Sequence, residues 1–127
     1  MNEAGGRRRF QQQAFGWEGV EPRVYKEQAA GEGGLGWRGV TRHTLFGRDG
    51  EPAAFEVRYF EIEPHGYSTL EQHEHVHAVT IVRGRGKVLV GDRVYDAEPM
   101  DFFYIPPRTA HQFVNDGEEP FGFLCVV

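Results

Sequence analysis

Leu70-Glu71-Gln72-His73-Glu74-His75-Val76-His77-Ala78-Val79-Thr80-Ile81-Val82-Arg83-Gly84 is the stretch on which the rest of the chain is arranged. It joins a row of histidines to an apolar run that a glycine closes. Four of the six histidines fall between His65 and His77. In an extended strand alternate residues point to one face, so Glu71, His73, His75 and His77 share a side. Imidazoles in a row with a carboxylate beside them are the usual material of a first-row metal site. Histidines alone fit an exposed polar edge as well. The surroundings favour the metal, because apolar strands follow and a further histidine, His111, arrives just after Ile105-Pro106-Pro107.

Outward from this stretch the chain reads as short strands. Val76 to Arg83 is apolar at nearly every position, which predicts cover on both faces. Gly84-Arg85-Gly86 turns it into Lys87-Val88-Leu89-Val90, and Gly91-Asp92 is a tight hairpin turn into Arg93-Val94-Tyr95-Asp96. Glu98 to Asp101 is a further turn before Phe102-Phe103-Tyr104-Ile105. His111 to Val114 ends in Asn115-Asp116-Gly117, and Phe121 to Val127 is the last strand. Upstream, Phe55, Val57 and Tyr59 alternate with polar residues before the apolar positions switch to Phe60 and Ile62. Such a switch predicts a bulge or a strand covered on both faces. Pro64-His65-Gly66 is expected to end that strand, with His65 in the turn. Further back, extended pieces are expected over 22–27 and 39–46, with a loop over 31–36. Residues 1–14, rich in Gly, Arg and Gln, read as a flexible arm, and 15–127 as one β-barrel domain.

The totals agree. A chain of 127 residues supports a single domain with one core, and 17 glycines with 10 phenylalanines favour turns and strands over helices. A net charge of −5 argues against nucleic acid as the partner. Arg7-Arg8-Arg9 is read as a solvated run. No apolar run approaches the length needed to span a bilayer, and no apolar segment follows the N-terminal arginines as a secretory signal requires. The single cysteine, Cys125, lies among apolar neighbours and is expected to be a small buried hydrophobe. Nothing calls for an oxidising compartment, and a cytoplasmic location is the expectation. Short strands at regular spacing indicate an all-β sandwich or barrel.

Two motifs sharpen this. The pattern H-x-H-x-x-x-(x)-E-x-x-x-x-x-x-G, counted back from Gly84, puts His77 at the glutamate position, His73 at the second histidine and Glu71 at the first. The pattern G-x-x-x-x-x-P-x-G-x-x-H-x-x-x-N falls on Met100, Pro106, Arg108, His111 and Asn115. Proline, histidine and asparagine match, and both glycines are replaced. Gly66 lies one position late for the glycine that opens the first motif. Over Phe55 to Val127 the chain thus resembles the small single-domain cupins. The resemblance implies an all-β jelly roll, the cupin double-stranded β-helix. In many of these proteins the N-terminal segment adds edge strands or exchanges with a partner subunit, which implies a homodimer.

The resemblance also implies one divalent transition metal per chain, Fe, Mn, Ni, Cu or Zn, held by His73, His77, His111 and Glu71. Such a set leaves positions open for substrate or dioxygen. Glu71 is either the fourth ligand or a general base. His75 shares strand parity but falls between the ligand positions, so it is expected at the mouth, with a bulge the one way it could replace Glu71. Val79, Ile81, Phe102, Tyr104, Phe113 and Phe123 are expected to wall a pocket suited to a small, partly apolar molecule. Tyr104 or Tyr59 could supply a hydrogen bond there. The implied activity is a metal-dependent reaction of a small organic substrate, dioxygenase-like or isomerase- or decarboxylase-like. The alternative is a non-catalytic module that binds or senses a metal or small ligand. No nucleic-acid or membrane partner is expected.

Overall fold

The structure, a computed structural model, describes residues 5–26, 36–47, 51 and 53–127. Among them there are eleven strands and no helix. In chain order they are β1 (Phe10–Gln11), β2 (Gly16–Trp17), β3 (Arg23–Val24), β4 (Arg38–Phe46), β5 (Val57–Tyr67), β6 (His77–Arg83), β7 (Gly86–Val90), β8 (Arg93–Ala97), β9 (Phe102–Ile105), β10 (His111–Val114) and β11 (Phe121–Val126). β1 and β2 form a separate antiparallel hairpin. The other nine make one curled antiparallel sheet that runs β8-β7-β10-β5-β11-β6-β9, with β4 also on β5 and β3 on β4. This is the all-β jelly roll that the two motifs imply. No helix of the described residues is long and apolar enough to cross a membrane.

The core lies inside the curl. On β6, His77, Val79 and Ile81 face inward and are buried, while the residues between them are only partly covered. Phe60, Phe113 and Phe123 stack face to face across β5, β10 and β11, with centroids 4.1 and 5.5 Å from Phe123. The switch of apolar parity at Tyr59 and Phe60 marks cover on both faces. Phe60 points into the core, and fully buried Tyr59 points outward beneath Phe15, Trp17 and His43. The described part of 1–14, residues 5–14, supports that outer cover. Within it, β1 pairs with β2, Phe10 packs on Phe15 and Trp17, and Arg8 Nε donates to the Leu45 carbonyl at 2.9 Å. A run without periodicity hid the hairpin, because aromatic contacts with a distant strand hold it rather than an amphipathic pattern. The loop expected over 31–36 falls almost wholly outside the described residues.

One correction concerns Pro64-His65-Gly66, which does not end its strand. β5 continues to Tyr67, and the pairing with β4 jumps from Val40↔Ile62 to Arg38↔Tyr67. Glu63 to Gly66 therefore bulge out of the ladder, with His65 at φ 67°. Local turn chemistry was legible there. The resumption of pairing beyond it depends on β4.

The two motif positions where this chain lacks glycine carry a measurable cost. Met100 has φ 78° and Arg108 φ 54°, both in the left-handed region that a Cβ disfavours. Each residue is tied down there. The Met100 amide donates to the Ile81 carbonyl at 2.7 Å and the Arg108 amide to the His73 carbonyl at 2.6 Å. Met100→Gly and Arg108→Gly are each expected to raise stability by up to about 1 kcal/mol, the release of left-handed strain being partly offset by the freer unfolded chain. Urea unfolding checks this, and a loss of stability in both variants would contradict it.

Candidate metal centre

Two local features carry the histidines into one cavity. β6 begins with His77 on its inward face, and the backbone bends at Glu74 and His75, so that His73 lies beside His77 and His75 is left exposed. β10 begins with His111, which pairs backbone to backbone with Glu71. The Glu71 amide donates to the His111 carbonyl at 3.1 Å and the His111 amide to the Glu71 carbonyl at 2.9 Å. Residues far apart in the chain thus become direct neighbours. The rings of His73, His77 and His111 form a nearly equilateral triangle, with centroids 5.1 to 5.3 Å apart. One nitrogen from each lies within 4.8 Å of the other two, a group that could hold a metal ion.

The tautomers agree with that use. His111 Nδ1 is 2.9 Å from the Thr109 carbonyl, which only accepts, so Nδ1 carries the proton and Nε2 keeps its lone pair. His77 Nδ1 is 3.3 Å from Cys125 Sγ, and its Nε2 is buried without a hydrogen-bond partner. An orphaned buried nitrogen of this kind costs about 1–3 kcal/mol unless something satisfies it. A cation does so, and the donor set fits a first-row divalent ion. Burial, with the neighbouring His111, His73 and His75, pulls His77 down to about 4, and burial likewise lowers His111. Both rings are therefore neutral near pH 7, the form that binds metals.

Glu71 stands beside this group. Its Oε1 is 3.2 Å from His73 Nε2, and its Oε2 is bonded to Lys26 Nζ. The carboxylate thus borders the three-histidine group, which closes without it. Burial alone would raise the Glu71 carboxyl, but the Lys26 bond and charge, with His73, outweigh it and hold the group below its usual range. His75 is exposed, stacked on His73 with centroids 5.0 Å apart and planes 7° from parallel, and lies outside the three-histidine group.

The His77 imidazole gives the metal-free protein a defined acid response. The ring ordinarily titrates near 6.5 and here near 4. Between those values the unfolded chain binds a proton that the folded chain refuses, so stability falls as the pH drops through that window. The loss reaches up to about 3 kcal/mol. Chelator-treated wild type should lose more stability between pH 7 and 4.5 than His77→Gln does in urea unfolding. Equal losses would contradict the assignment.

The cavity around these rings has a volume of about 450 Å³. Val79, Phe113 and Phe123 line it. Ile81 does not: it shares the His77 face but lies deeper, fully buried in the core. Phe102 and Tyr104 turn outward, 63% and 58% exposed, because β9 pairs with β6 so that Ile105 and Phe103 stand opposite the inward His77 and Val79. Tyr59 is on the outer face of β5, its hydroxyl on Glu61 at 2.9 Å. Beside Glu71 and the histidines, further polar lining comes from residues that spacing did not single out, among them Lys26, Arg42, Arg58, Ser68 and Cys125. Cys125 is buried as expected, but its thiol faces the cavity against His77, and burial pushes it up to about 12.

The sequence model of the Cupin domain family matches residues 58–127. Among curated proteins, 1-methylthio-D-xylulose 5-phosphate methylsulfurylase of Rhodospirillum rubrum is 45% identical over 120 residues, which cover 94% of this chain and 72% of the relative. Glucose-6-phosphate isomerase of Pyrococcus furiosus is 31% identical over 80 residues, 59% of this chain and 41% of that protein. Among solved structures, a cupin 2 conserved barrel domain protein from Rhodopseudomonas palustris superposes with a TM-score of 0.82 at 43% identity, over 96% of this chain and 79% of that one.

Proposed function

The chain belongs to the cupin family, and from that premise we propose that it is a metal-dependent enzyme acting on a small phosphorylated ketose of the 1-methylthio-D-xylulose 5-phosphate class. The observation that carries the reading is a carboxylate held ionised by Lys26 at 3.2 Å from one imidazole of a three-histidine cavity. Two curated relatives bear the names of sugar-phosphate enzymes, which points the substrate class the same way.

His73, His77 and His111 would hold a divalent transition ion, which supplies a Lewis acid for a substrate carbonyl. The chain does the rest. Glu71, ionised because Lys26 offsets its burial, takes a proton from the carbon beside that carbonyl, the step that isomerase-like reactions of a 2-ketose require. The Cys125 thiol keeps its proton at neutral pH and serves as a donor at the cavity wall. Val79, Phe113 and Phe123 exclude water around the apolar part of the substrate, and Arg58, paired with Glu56 at 2.9 Å, adds a polar group to the wall.

The test is to load the protein in turn with Mn, Fe, Ni and Zn and mix it with 1-methylthio-D-xylulose 5-phosphate and a thiol in deuterated water. Proton NMR should show deuterium entering the carbon beside the carbonyl or loss of the methylthio signal. Tight binding with neither change, for every metal, would replace the enzyme with a non-catalytic binding module. In the same reading the protein is a homodimer. β9 ends the sheet path and exposes Phe102 and Tyr104, an apolar edge that invites pairing with a second copy. Sedimentation should give a dimer for wild type and a monomer for Phe102→Lys, and a monomeric wild type would contradict it.

A further inference from the structure

A ligating imidazole needs something to fix the plane of its ring, ordinarily a hydrogen bond to the nitrogen turned away from the ion. Two of the three rings have such a contact. His111 Nδ1 is 2.9 Å from the Thr109 carbonyl, and His77 Nδ1 is 3.3 Å from Cys125 Sγ. His73 differs. Its polar side-chain contact among the described residues is with Glu71, Nε2 to Oε1 at 3.2 Å, and Glu71 belongs to the same cavity. No hydrogen bond among those residues holds Nδ1.

What His73 has there is a second ring. His75 lies parallel to it, with centroids 5.0 Å apart and planes 7° from parallel, and also meets His77 at 4.9 Å and 46°. No ring contact among the described residues joins His75 to His111, so His75 sits along the His73–His77 side of the triangle. The backbone explains the stack. In a regular strand residues two apart are separated by about 6.6 Å along the chain, too far for rings to stack closely. The bend at Glu74 and His75 folds that spacing down. The loop between β9 and β10 pins the bend, because the Arg108 amide donates to the His73 carbonyl at 2.6 Å and the Arg108 guanidinium pairs with Glu74 Oε2 at 2.9 Å. The exposed ion pair contributes little, so the amide bond is the main tie. It fixes where His73 leaves the backbone, and the stack fixes how its ring turns.

We infer that His75 is a positioning residue of the metal centre, which holds the His73 ring in its ligating orientation by stacking on it and supplies no ligand atom of its own. The inference rests on the three-histidine metal centre proposed above and not on the ketose phosphate. Stacking requires a flat ring and no particular nitrogen, whereas ligation requires the nitrogen and no stack. The two roles are therefore separable by substitution. Without the stack His73 is the ligand freest to swing away, so the ion should leave faster.

Zinc and cobalt(II) are the probes, on the full chain as wild type, His75→Ala and His75→Phe. Chelator competition should give zinc affinity about tenfold weaker in His75→Ala, through faster release, and within about threefold of wild type in His75→Phe. The visible bands of the cobalt protein report ligand geometry, which a general loss of stability would not move. They should be shifted or broadened in His75→Ala and unchanged in His75→Phe. His75 is exposed, so the three metal-free proteins should melt together. Equal affinity and equal spectra in wild type and His75→Ala would overturn the inference and leave the metal centre standing. A His75→Phe variant as weak as His75→Ala would also overturn it, since His75 would then act through its nitrogen as a ligand. Wild type that binds neither ion would overturn the metal centre and the inference with it.

Discussion

Glu71→Gln is expected to lower turnover of the ketose phosphate by about 10²–10⁴-fold, the usual contribution of a positioned general base. Glutamine keeps the shape of the side chain and the backbone pairing with His111, and removes only the charge and the basic lone pair. Metal affinity should change by less than about tenfold, because His73, His77 and His111 supply the mutually close donor atoms without the carboxylate. A fall of about a hundredfold or more in affinity would make Glu71 a ligand instead. Lys26 gives a second handle on the same group. Burial pushes the Glu71 carboxyl up and the ammonium pulls it down, so Lys26→Met should move the acidic limb of the pH–rate profile upward. An unmoved limb would separate that limb from Glu71.

The largest effect on stability is expected at Asn115. Fully buried, its Nδ2 donates to the carbonyls of Ile62 at 2.9 Å and Glu119 at 2.7 Å, while Oδ1 accepts from the Gly117 amide at 3.0 Å. Its own amide donates to the Gly66 carbonyl at 2.9 Å. One side chain thus ties the bulge of β5 to the turn between β10 and β11, and so fixes the strand that presents His111. Asn115→Leu keeps the branched shape and leaves three backbone groups without this partner, the Ile62 carbonyl buried and the Glu119 carbonyl and Gly117 amide partly so. At about 1–3 kcal/mol for each, the variant should lose roughly 3–5 kcal/mol, and a loss under about 1 kcal/mol in urea unfolding would show that water or a shifted turn replaces the bonds.

The parts of the molecule legible in the sequence are those whose signal is local. Gly91-Asp92 shows how: its hairpin needs a positive φ at the first turn position, Gly91 supplies 63°, and the flanking strands pair from Val90↔Arg93 outward. Gly84 is similar, at φ 66° with the Pro120 carbonyl where a Cβ would stand, which is why counting back from it locates His77 and His73. What escaped the sequence depends on partners far along the chain. Lys26 and Arg42 reach the cavity because β4 lies along β5 and β3 along β4, a pairing that no local pattern in the glycine-rich first third announces. Phe102 and Tyr104 are as apolar as core residues, and only the register with β6 turns them outward. Cys125 was legible as buried but not as the neighbour of His77, since that contact crosses from β11 to β6.

The chemistry proposed for this chain rests on three imidazoles acting together on one ion. Metal analysis of protein purified without a histidine tag, as wild type and as His73→Ala/His111→Ala, tests that most directly. About one equivalent of divalent transition metal per chain is expected in wild type and less than about a tenth in the double variant. Wild type that takes up no metal when reconstituted, or a double variant that keeps full occupancy, would contradict it.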